Sequence, residues 1–368
     1  MIFPRRVISG KKDIADFFKT GLNDFKDKNV LLLISNSVQK QGLDKSLTGK
    51  LKQLSNLYLY KSGGEPDVEN VNQIYSLYKP KKISVVIALG GGSIIDLAKA
   101  VSVCLSIDKN CGQVLKDKES IRRKVLLVVF PTTIGSGSEG TSISVITEGG
   151  AKKAIVDSCL SPDIVVLNPL FVNYLPKKVK IYNLIDACAQ GIEALLSKKS
   201  SDFTDFYAKS SLDILLKYYP SYLNLKQNNP GLNQKMQIAV MNIGFAFSQA
   251  GTHLIHSFAY ALAKQDRSLS HGRSIALVLA PILKFLLVQK KESWPRIKEY
   301  SPYIRKMIVF AEKYQSAIYS SRFSVFGKER VVNDVCSNRR LMSNIPINLN
   351  RKELNIINDL IYEKAQIH

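Results

Sequence analysis

The chain has 368 residues, of which 45% are hydrophobic, and it carries a formal net charge of +22 at pH 7. It is too long for one ordinary hydrophobic core and apolar enough to fold, so we expect two globular domains. The lysines are spread along the whole chain without a zinc-finger or RRM pattern. This excludes the usual signatures of specific nucleic-acid binding and leaves a general attraction for anions.

The N-terminal segment does not have the pattern of a signal peptide. Residues 1–6 lead directly into a helical pattern over 11–25, without an apolar stretch or a small-residue cleavage site. The longest apolar runs are far shorter than the roughly eighteen residues that a membrane span requires. Five cysteines without a CxxC pair predict reduced thiols. We therefore expect a cytoplasmic protein with no membrane partner.

The first half of the chain alternates short β-branched runs with helical patterns. Strands are predicted at 30–34, 57–60, 83–89, 125–129 and 164–167, and helices at 43–54, 68–78 and 94–105. Nearly continuous apolar strands separated by amphipathic helices indicate a parallel sheet covered on both faces. Residues 1–175 are therefore predicted to form a nucleotide-binding α/β domain.

The second half of the chain lacks β-branched runs and shows the 3.6-residue periodicity of helices. Helical patterns cover 182–196, 203–218, 235–263 and 275–287. Three prolines, Pro162, Pro169 and Pro176, mark the junction and place the boundary near residue 175. Residues 176–368 are predicted to form an all-α domain.

A glycine-rich turn follows the predicted strand 83–89. Gly90, Gly91 and Gly92 precede a helix whose first turn holds Ser93. Glycines let the backbone approach a pyrophosphate closely, and the helix N-terminus supplies free N–H groups and a positive dipole end. A turn of this kind also occurs for structural reasons alone, so the motif by itself leaves both readings open.

A second loop, residues 131–141, follows another buried strand and is rich in hydroxyl groups and glycines. These groups suit a ribose and a carboxamide, although a solvated turn has a similar composition. Two such loops at the carboxyl ends of neighbouring strands, where α/β sheets bind ligands, favour a cofactor site.

Three of the four histidines fall close together in sequence: His253, His256 and His271. Asp186 and Gln190 stand four residues apart in an apolar helix, so they share one face. A lone histidine on an apolar helix usually belongs to the core, but this cluster could converge on a divalent cation. A cation would also satisfy the buried polar pair.

Four ordered motifs resemble those of the iron-containing (group III) alcohol dehydrogenases. They are Gly-Gly-Gly-Ser-Ile-Ile-Asp-Leu-Ala-Lys at 90–99, Pro-Thr-Thr-Ile-Gly-Ser-Gly-Ser-Glu at 131–139, and the segments 186–193 and 256–272. The resemblance covers roughly 1–290 and returns at 338–346. It implies a Rossmann-like α/β domain with a parallel sheet followed by an all-α domain, in the dehydroquinate synthase-like architecture. It also implies NADP or NAD as cofactor and a divalent metal, Fe²⁺ or Zn²⁺.

Carried over residue by residue, the family's metal ligands fall on Asp186, Gln190, His256 and His271. The family has a histidine at the position of Gln190, and an amide oxygen should bind iron or zinc more weakly than imidazole. Tyr260 stands where many relatives have another histidine, and it could relay a proton or only pack. The resemblance thus implies Asp186, His256, His271 and Tyr260 as catalytic residues.

The cofactor-binding residues implied by the resemblance lie mainly in the two loops. NAD-preferring relatives tend to carry an aspartate where this chain has Ser35 and Asn36, so a 2′-phosphate is not repelled and Lys40 is a candidate partner for it. The full predicted set is Ser35, Asn36, Gly90, Gly91, Gly92, Ser93, Asp96, Thr132, Thr133, Ser136, Ser138 and Lys153.

The implied activity is metal-assisted hydride transfer between the nicotinamide cofactor and a small alcohol or aldehyde. Likeness to the phosphonoacetaldehyde reductase branch suggests an anionic, phosphonate-like substrate, and a homodimer is compatible with the family. Two alternatives stay open. One is a lyase or cyclase similar to dehydroquinate synthase, and the other is a non-catalytic paralogue with a degraded metal site.

Overall fold

A computed structural model describes residues 3–10, 17, 25–117, 121–224, 229–319 and 327–366. It divides into two compact units, Met1–Leu175 with Leu225–Gly244, and Pro176–Asn224 with Phe245–His368. The sequence-based boundary at 175 coincides with one of these limits, but that division placed 225–244 with the helical half. The helical pattern predicted over 11–25 lies outside the described residues, apart from Phe17 and Phe25.

Packing explains why residues 229–244 group with the first unit. Gln237 is buried, and its amide nitrogen lies 3.3 Å from the carbonyl oxygen of Asn168. A Cβ added to Gly244 would stand 2.2 Å from the carbonyl oxygen of Gly137, which itself has a left-handed φ of +59°. Such close backbone approach admits only glycine. Sequence periodicity could not reveal this contact because the two glycines are far apart in the chain.

The first unit contains a six-stranded sheet in which every neighbouring pair is parallel, as predicted. The strand order is β1-β8-β5-β4-β2-β3. The strands are β1 (Arg6–Ser9), β2 (Asn29–Ser35), β3 (Asn56–Ser62), β4 (Val85–Gly90), β5 (Leu126–Pro131) and β8 (Ile164–Leu167). All residues of β4 are buried, as expected of a strand covered on both faces.

A separate antiparallel hairpin, not predicted from the sequence, consists of β6 (Ile143–Glu148) and β7 (Ala151–Val156). Gly149 and Gly150 form its turn with φ of +56° and +80°, which matches the two-residue hairpin turns that need glycine. The four-residue strand β1 was also not predicted. It is an edge strand that pairs only with β8 among the described strands.

Five helices of the first unit connect these strands. They are α1 (Asn36–Lys40), α2 (Lys45–Leu54), α3 (Val68–Tyr78), α4 (Gly92–Ile107) and α5 (Cys111–Lys116). Asp67 begins α3 by accepting a hydrogen bond from the Asn70 backbone N–H at 2.7 Å. Asn110 and Gln113 form a capping box that begins α5. All five cysteines of the chain are free thiols.

The remaining helices are α6 (Lys177–Leu196), α7 (Asp202–Leu223), α8 (Pro230–Ala250), α9 (Leu254–Gln265), α10 (His271–Phe285), α11 (Pro295–Glu299), α12 (Ser301–Lys313), α13 (Gln315–Ile318), α14 (Lys328–Ser337), α15 (Arg339–Met342) and α16 (Arg351–Gln366). Every regular element described in the second unit is helical, as predicted. The predicted helix 235–263 is divided between α8 and α9. The break follows Gly251, whose φ of +78° ends a right-handed helix.

One described helical segment, His271–Lys290, is long and apolar enough to cross a membrane. The pair Pro230–Ala250 and Leu254–Gln265 would pass the same test if it were one bent span. Within the apolar window of His271–Lys290, 72% is buried inside the protein, as in the core helix of a folded domain. This segment is therefore weak evidence for a membrane span.

Candidate functional site

The glycine turn and the second predicted loop lie side by side in the first unit. Gly90 at the end of β4 pairs with Pro131 at the end of β5, and the Thr132 backbone N–H donates to the Gly90 carbonyl oxygen at 3.0 Å. A Cβ added to Gly91 would lie 3.0 Å from Cγ2 of Thr133. The two loops thus meet at the carboxyl edge of the sheet, where ligands bind in folds of this kind.

The second contact between the loops is closer still. A Cβ added to Gly92 would stand 2.4 Å from Oγ of Ser136 and 2.7 Å from its Cβ. Any side chain at this position would therefore displace the second loop.

The N-terminus of α4 is suited to a phosphate group. Gly91 precedes the helix in an extended conformation, and neither a side-chain cap nor an acidic residue occupies the first turn. Backbone N–H groups at such a terminus are unsatisfied within the helix, and they carry the positive end of its dipole. Ser93 is exposed in this first turn. The residues present therefore fit the pyrophosphate of a dinucleotide.

Ser35 and Asn36 stand at the end of β2, which is the neighbour of β4 in the sheet. The Ser35 hydroxyl begins α1 by accepting from the Val38 backbone N–H at 3.2 Å, and Asn36 is exposed. Lys40 is exposed in the last turn of α1. No carboxylate occurs among residues 35–40, so this end of the sheet offers no repulsion to a phosphate on the ribose.

Three other predicted cofactor residues have different surroundings. The carboxylate of Asp96 accepts hydrogen bonds from the hydroxyl of Ser138 and, at 3.1 Å, from the Val145 backbone N–H. Burial raises the pKa of Asp96, and the nearby Lys99 charge and the Ser138 hydroxyl oppose this effect. Lys153 is exposed on β7 opposite Ile146. Among the described residues, it makes no hydrogen bond or ion pair with either loop. Its role stays a prediction.

Three predicted metal ligands converge in the second unit. Asp186 lies in the middle of α6, His256 in the first turn of α9, and His271 begins α10. Nε2 of His256 lies 3.5 Å from Oδ1 of Asp186, and Nε2 of His271 lies 3.6 Å from the same oxygen. One potential ligand atom from each residue lies within 4.8 Å of the others. This is the spacing of groups that share one cation.

Gln190 lies one helical turn from Asp186, and its amide nitrogen donates to Oδ1 of Asp186 at 3.2 Å. Its amide oxygen is buried and has no hydrogen-bond partner among the described residues. A buried unpaired acceptor is costly, and a cation would give it a partner. One carboxylate and two imidazoles therefore fit a divalent metal, and the amide oxygen of Gln190 stays the predicted fourth ligand.

Sequence reasoning missed the role of Glu193, which is fully buried on α6. Its Oε2 accepts a hydrogen bond from Nδ1 of His256 at 2.5 Å, and its Oε1 accepts from the Ile255 backbone N–H at 2.6 Å. A carboxylate on Nδ1 directs the Nε2 lone pair of the imidazole toward a metal. The signal was present in the sequence, since Asp186, Gln190 and Glu193 have the i, i+4, i+7 spacing of one helix face.

Electrostatics in the cluster favour ionised carboxylates beside a protonated imidazole. Burial alone would raise the pKa of Asp186, but the charges and hydrogen bonds of His271 and His256 hold it well below its usual range. Burial alone would lower the pKa of His256, but Glu193 and Asp186 raise it to about 9. A bound cation would take the place of the proton on His256, because a metal-ligating imidazole is neutral.

Two further side chains stand beside these ligands. The Tyr260 ring lies 5.6 Å from that of His271 and 6.1 Å from that of His256, measured between centroids. His253 is buried, and its Nε2 lies 3.0 Å from the carbonyl oxygen of Glu193. His253 therefore supports Glu193 and lies outside the group of predicted ligands.

A parallel sheet with a glycine turn that fits a pyrophosphate, together with a helical unit whose Asp186, His256 and His271 could hold a metal ion, is the arrangement expected of a metal-dependent, dinucleotide-binding protein. Residues 4–169 match the model of the iron-containing alcohol dehydrogenases, and residues 180–317 match the C-terminal model of the Fe-containing alcohol dehydrogenase family. The chain belongs to the iron-containing alcohol dehydrogenase family.

Individual relatives agree with this assignment. The chain is 32% identical over 223 residues to the 1-propanol dehydrogenase PduQ of Salmonella typhimurium, a match that covers 60% of this chain and 56% of PduQ. It is 29% identical over 282 residues to the 4-hydroxybutyrate dehydrogenase of Clostridium kluyveri, covering 74% of this chain and 71% of that protein. For PduQ and three other relatives, the matched part spans only 56–59% of their length.

The fold is similar to that of an iron-containing alcohol dehydrogenase from Thermotoga maritima, with a TM-score of 0.85 and 23% sequence identity. The superposition covers 99% of this chain and 98% of that one. The dehydroquinate synthase-like architecture expected from the sequence is thereby confirmed at the level of the fold.

Proposed function

We propose that this chain is an NAD(P)-dependent, metal-assisted alcohol dehydrogenase or aldehyde reductase that acts on a small substrate. The observation that carries the proposal is the convergence of Asp186, His256 and His271 within 4.8 Å. Membership of the iron-containing alcohol dehydrogenase family and the phosphate-binding turn before α4 support it.

Each unit contributes one part of the chemistry. When bound, the divalent cation supplies a Lewis acid for the substrate oxygen, and the nicotinamide dinucleotide supplies or accepts the hydride. The glycine turn and the N-terminus of α4 bind the pyrophosphate. In the second unit, Asp186 is the only carboxylate among the predicted ligands, so the ligands themselves leave a divalent cation with a positive charge that can polarise a carbonyl group.

The protein's own residues orient the ligands and handle the proton. Glu193 holds the His256 ring in one tautomer, so that Nε2 faces Asp186. The phenol of Tyr260, beside both histidine rings, is the hydroxyl we assign to proton exchange with the substrate oxygen. Tyr260→Phe should lower turnover and leave the metal content unchanged. Equal turnover would assign the ring to packing alone.

For the substrate we propose a small alcohol or aldehyde, with an anionic aldehyde as the finer hypothesis. The net charge of +22 favours anions in general, and one relative is named for 4-hydroxybutyrate, which carries a carboxylate. A panel of propanal, succinic semialdehyde and phosphonoacetaldehyde compares a neutral, a carboxylate and a phosphonate substrate. The finer hypothesis expects kcat/KM to be higher for the two anions than for propanal.

The test of the proposed function uses the full chain, stripped of metal and then reloaded with Fe²⁺ or Zn²⁺. Metal content by mass spectrometry and aldehyde-dependent oxidation of NADH and NADPH are measured for the wild type and for His271→Ala. We expect His271→Ala to lose both metal and turnover, because it removes one of two nitrogen donors. Equal rates of aldehyde reduction in the two proteins would refute metal assistance.

The alternatives make different predictions in the same experiment. A non-catalytic paralogue would reduce no aldehyde, with or without metal. A lyase or cyclase would bind the dinucleotide without net oxidation of it, and the family assignment disfavours this reading.

A further inference from the structure

Lys99 is a fully buried lysine in α4, and its ammonium group faces a single segment of the first unit. Nζ donates to the carbonyl oxygens of Ser138 at 2.7 Å, Thr141 at 2.9 Å and Ile143 at 2.8 Å. It also contacts the Thr141 hydroxyl at 2.8 Å. All these acceptors lie at the end of the second loop or at the start of β6.

Asp96 stands one turn earlier on the same face of α4 and contacts the same segment. Its carboxylate accepts from the Ser138 hydroxyl and from the Val145 backbone N–H. Its backbone carbonyl accepts from the Ser144 hydroxyl at 2.8 Å. Asp96 and Lys99 together therefore attach residues 138–145 to the helix that follows the glycine turn. We call this pair the α4 clamp.

Burying the charged group of Lys99 has a large free-energy cost. Removing an ammonium group from water costs several kcal/mol, which its oxygen acceptors must offset. Burial lowers the pKa of Lys99 to about 8, although the charges of Asp96 and Glu139 oppose this shift. An apolar side chain could fill the same volume, but it could not hold three carbonyl oxygens of residues 138–143 at defined positions.

The position of this loop matters because it touches the glycine turn. Thr133 and Ser136 lie against Gly91 and Gly92 with almost no free space. The hairpin that follows the loop reaches the connection between β3 and α3, where the Thr147 backbone N–H donates to the Pro66 carbonyl oxygen at 2.9 Å. A shift of residues 138–145 would therefore change where the second loop and the hairpin lie at the carboxyl edge of the sheet.

We propose that Asp96 and Lys99 position the second loop for the nicotinamide half of the cofactor, so that Lys99 is a positioning residue for dinucleotide binding. This inference rests on the proposed function. It also gives Asp96 and Ser138 an indirect role, because their side chains bind each other and act on the cofactor through the loop.

The clamp predicts different effects on two ligands. ADP needs the glycine turn and the N-terminus of α4, whereas a complete dinucleotide also needs the second loop. Loss of the clamp should therefore weaken the binding of NADH or NADPH by tenfold or more and the binding of ADP by less than threefold. The KM for the dinucleotide should rise more than kcat falls. A general loosening of the fold would weaken the binding of ADP and of the dinucleotide to the same extent.

The experiment compares full-length wild type, Lys99→Met and Ser138→Ala, with Lys116→Met as the control at an exposed position of α5. Dissociation constants for ADP, NADH and NADPH are measured by titration calorimetry on proteins whose circular dichroism matches the wild type. Lys116→Met should bind all three normally. Ser138→Ala removes the hydroxyl contacts with Asp96 and with Nζ of Lys99 but keeps the carbonyl acceptors of Lys99. It should therefore fold and show a smaller shift of about threefold in the same direction.

If Lys99→Met does not fold, Ser138→Ala decides the question. Wild-type dinucleotide affinity in a folded Lys99→Met, or in Ser138→Ala when only that variant folds, would overturn the role of the clamp and leave the proposed function standing. Absence of dinucleotide binding by the wild type would overturn the proposed function itself.

Discussion

Oε2 of Glu193 lies 2.5 Å from Nδ1 of His256, and both side chains are buried. This contact orients Nε2 of His256 toward Asp186, so the predicted metal site has a supporting residue on the same helix face as two of its predicted ligands. The arrangement leads to a prediction about affinity for metal that does not depend on turnover.

Glu193→Gln should weaken zinc binding by about 10- to 100-fold, because a neutral amide no longer fixes the tautomer and basicity of His256. The affinity is measured by zinc titration of the metal-free protein with a competing chelator. Glu292→Gln, at an exposed position of the same unit, is the matched control and should bind zinc normally. Unchanged affinity in Glu193→Gln would show that the hydrogen bond is not needed to prepare the site.

Gln190→His should raise affinity for zinc or iron by roughly tenfold, about 1.4 kcal/mol, because imidazole is a better donor to these ions than an amide oxygen. The position lies one turn from Asp186, and its amide oxygen lacks a partner in the described structure. Activity need not follow, since a more electron-rich site polarises a carbonyl less. Metal content and aldehyde reduction are measured together, and weaker metal binding by the variant would argue that residue 190 is not a ligand.

Gly91→Val should abolish dinucleotide binding, because a side chain there would hold the backbone away from the pyrophosphate. It would also press on Thr133, whose Cγ2 lies 3.0 Å from the added Cβ, so some thermal stability should be lost as well. Gly49→Val in α2 is the control, since a Cβ there meets nothing within 4 Å. Normal cofactor binding by a folded Gly91→Val would make the glycine turn purely structural.

The protein should bind NADPH at least as well as NADH, because Ser35 and Asn36 present no carboxylate to the 2′-phosphate. Fluorescence titration of both cofactors measures the ratio. Ser35→Asp keeps a helix-capping side chain on α1 and should shift the ratio toward NADH by roughly tenfold or more. A tenfold preference of the wild type for NADH would refute the prediction.

Glu139 gives a pH dependence of stability. Burial raises the pKa of this carboxyl from 4.5 to about 7, so the folded state binds its proton more tightly than the unfolded chain does. The stabilisation of the folded state by the protonated Glu139 carboxyl is therefore fully present below pH 4.5 and is lost as the pH rises to about 7. At about 1.4 kcal/mol per pKa unit, the loss is about 3 kcal/mol.

Glu139→Gln should remove this loss, so the variant should gain stability relative to the wild type between pH 4.5 and pH 8. Urea unfolding at both pH values measures the difference in the free energy of unfolding. Glu69→Gln, at an exposed position of α3, should show no such change. A difference between Glu139→Gln and wild type that is the same at both pH values would show that Glu139 titrates normally in the folded protein.

The sequence by itself determined the features that depend on local pattern. Apolar runs and helical periodicity were enough to predict five of the six parallel strands and helices such as α3, and the glycine turn was recognisable because it lies between a strand and a helix. The sequence also pointed to Asp186, His256 and His271, because the few histidines cluster and the motifs follow one another in a fixed order. These signals lie within a few residues of each other or recur in a fixed order, so they can be recognised from the sequence without the structure.

Only the tertiary structure decided which distant groups meet. Glu193 is an ordinary helical glutamate until α9 brings His256 to it, and Lys99 is one of many lysines until the second loop surrounds it. Strand β1 (Arg6–Ser9) lacks the continuous apolar run that made the equally short β8 recognisable, and it is a strand because β8 supplies its hydrogen-bond partners. Hydrogen bonds and burial join residues that are far apart in the chain, and the cost of a buried charge or an unpaired backbone group is set by those partners.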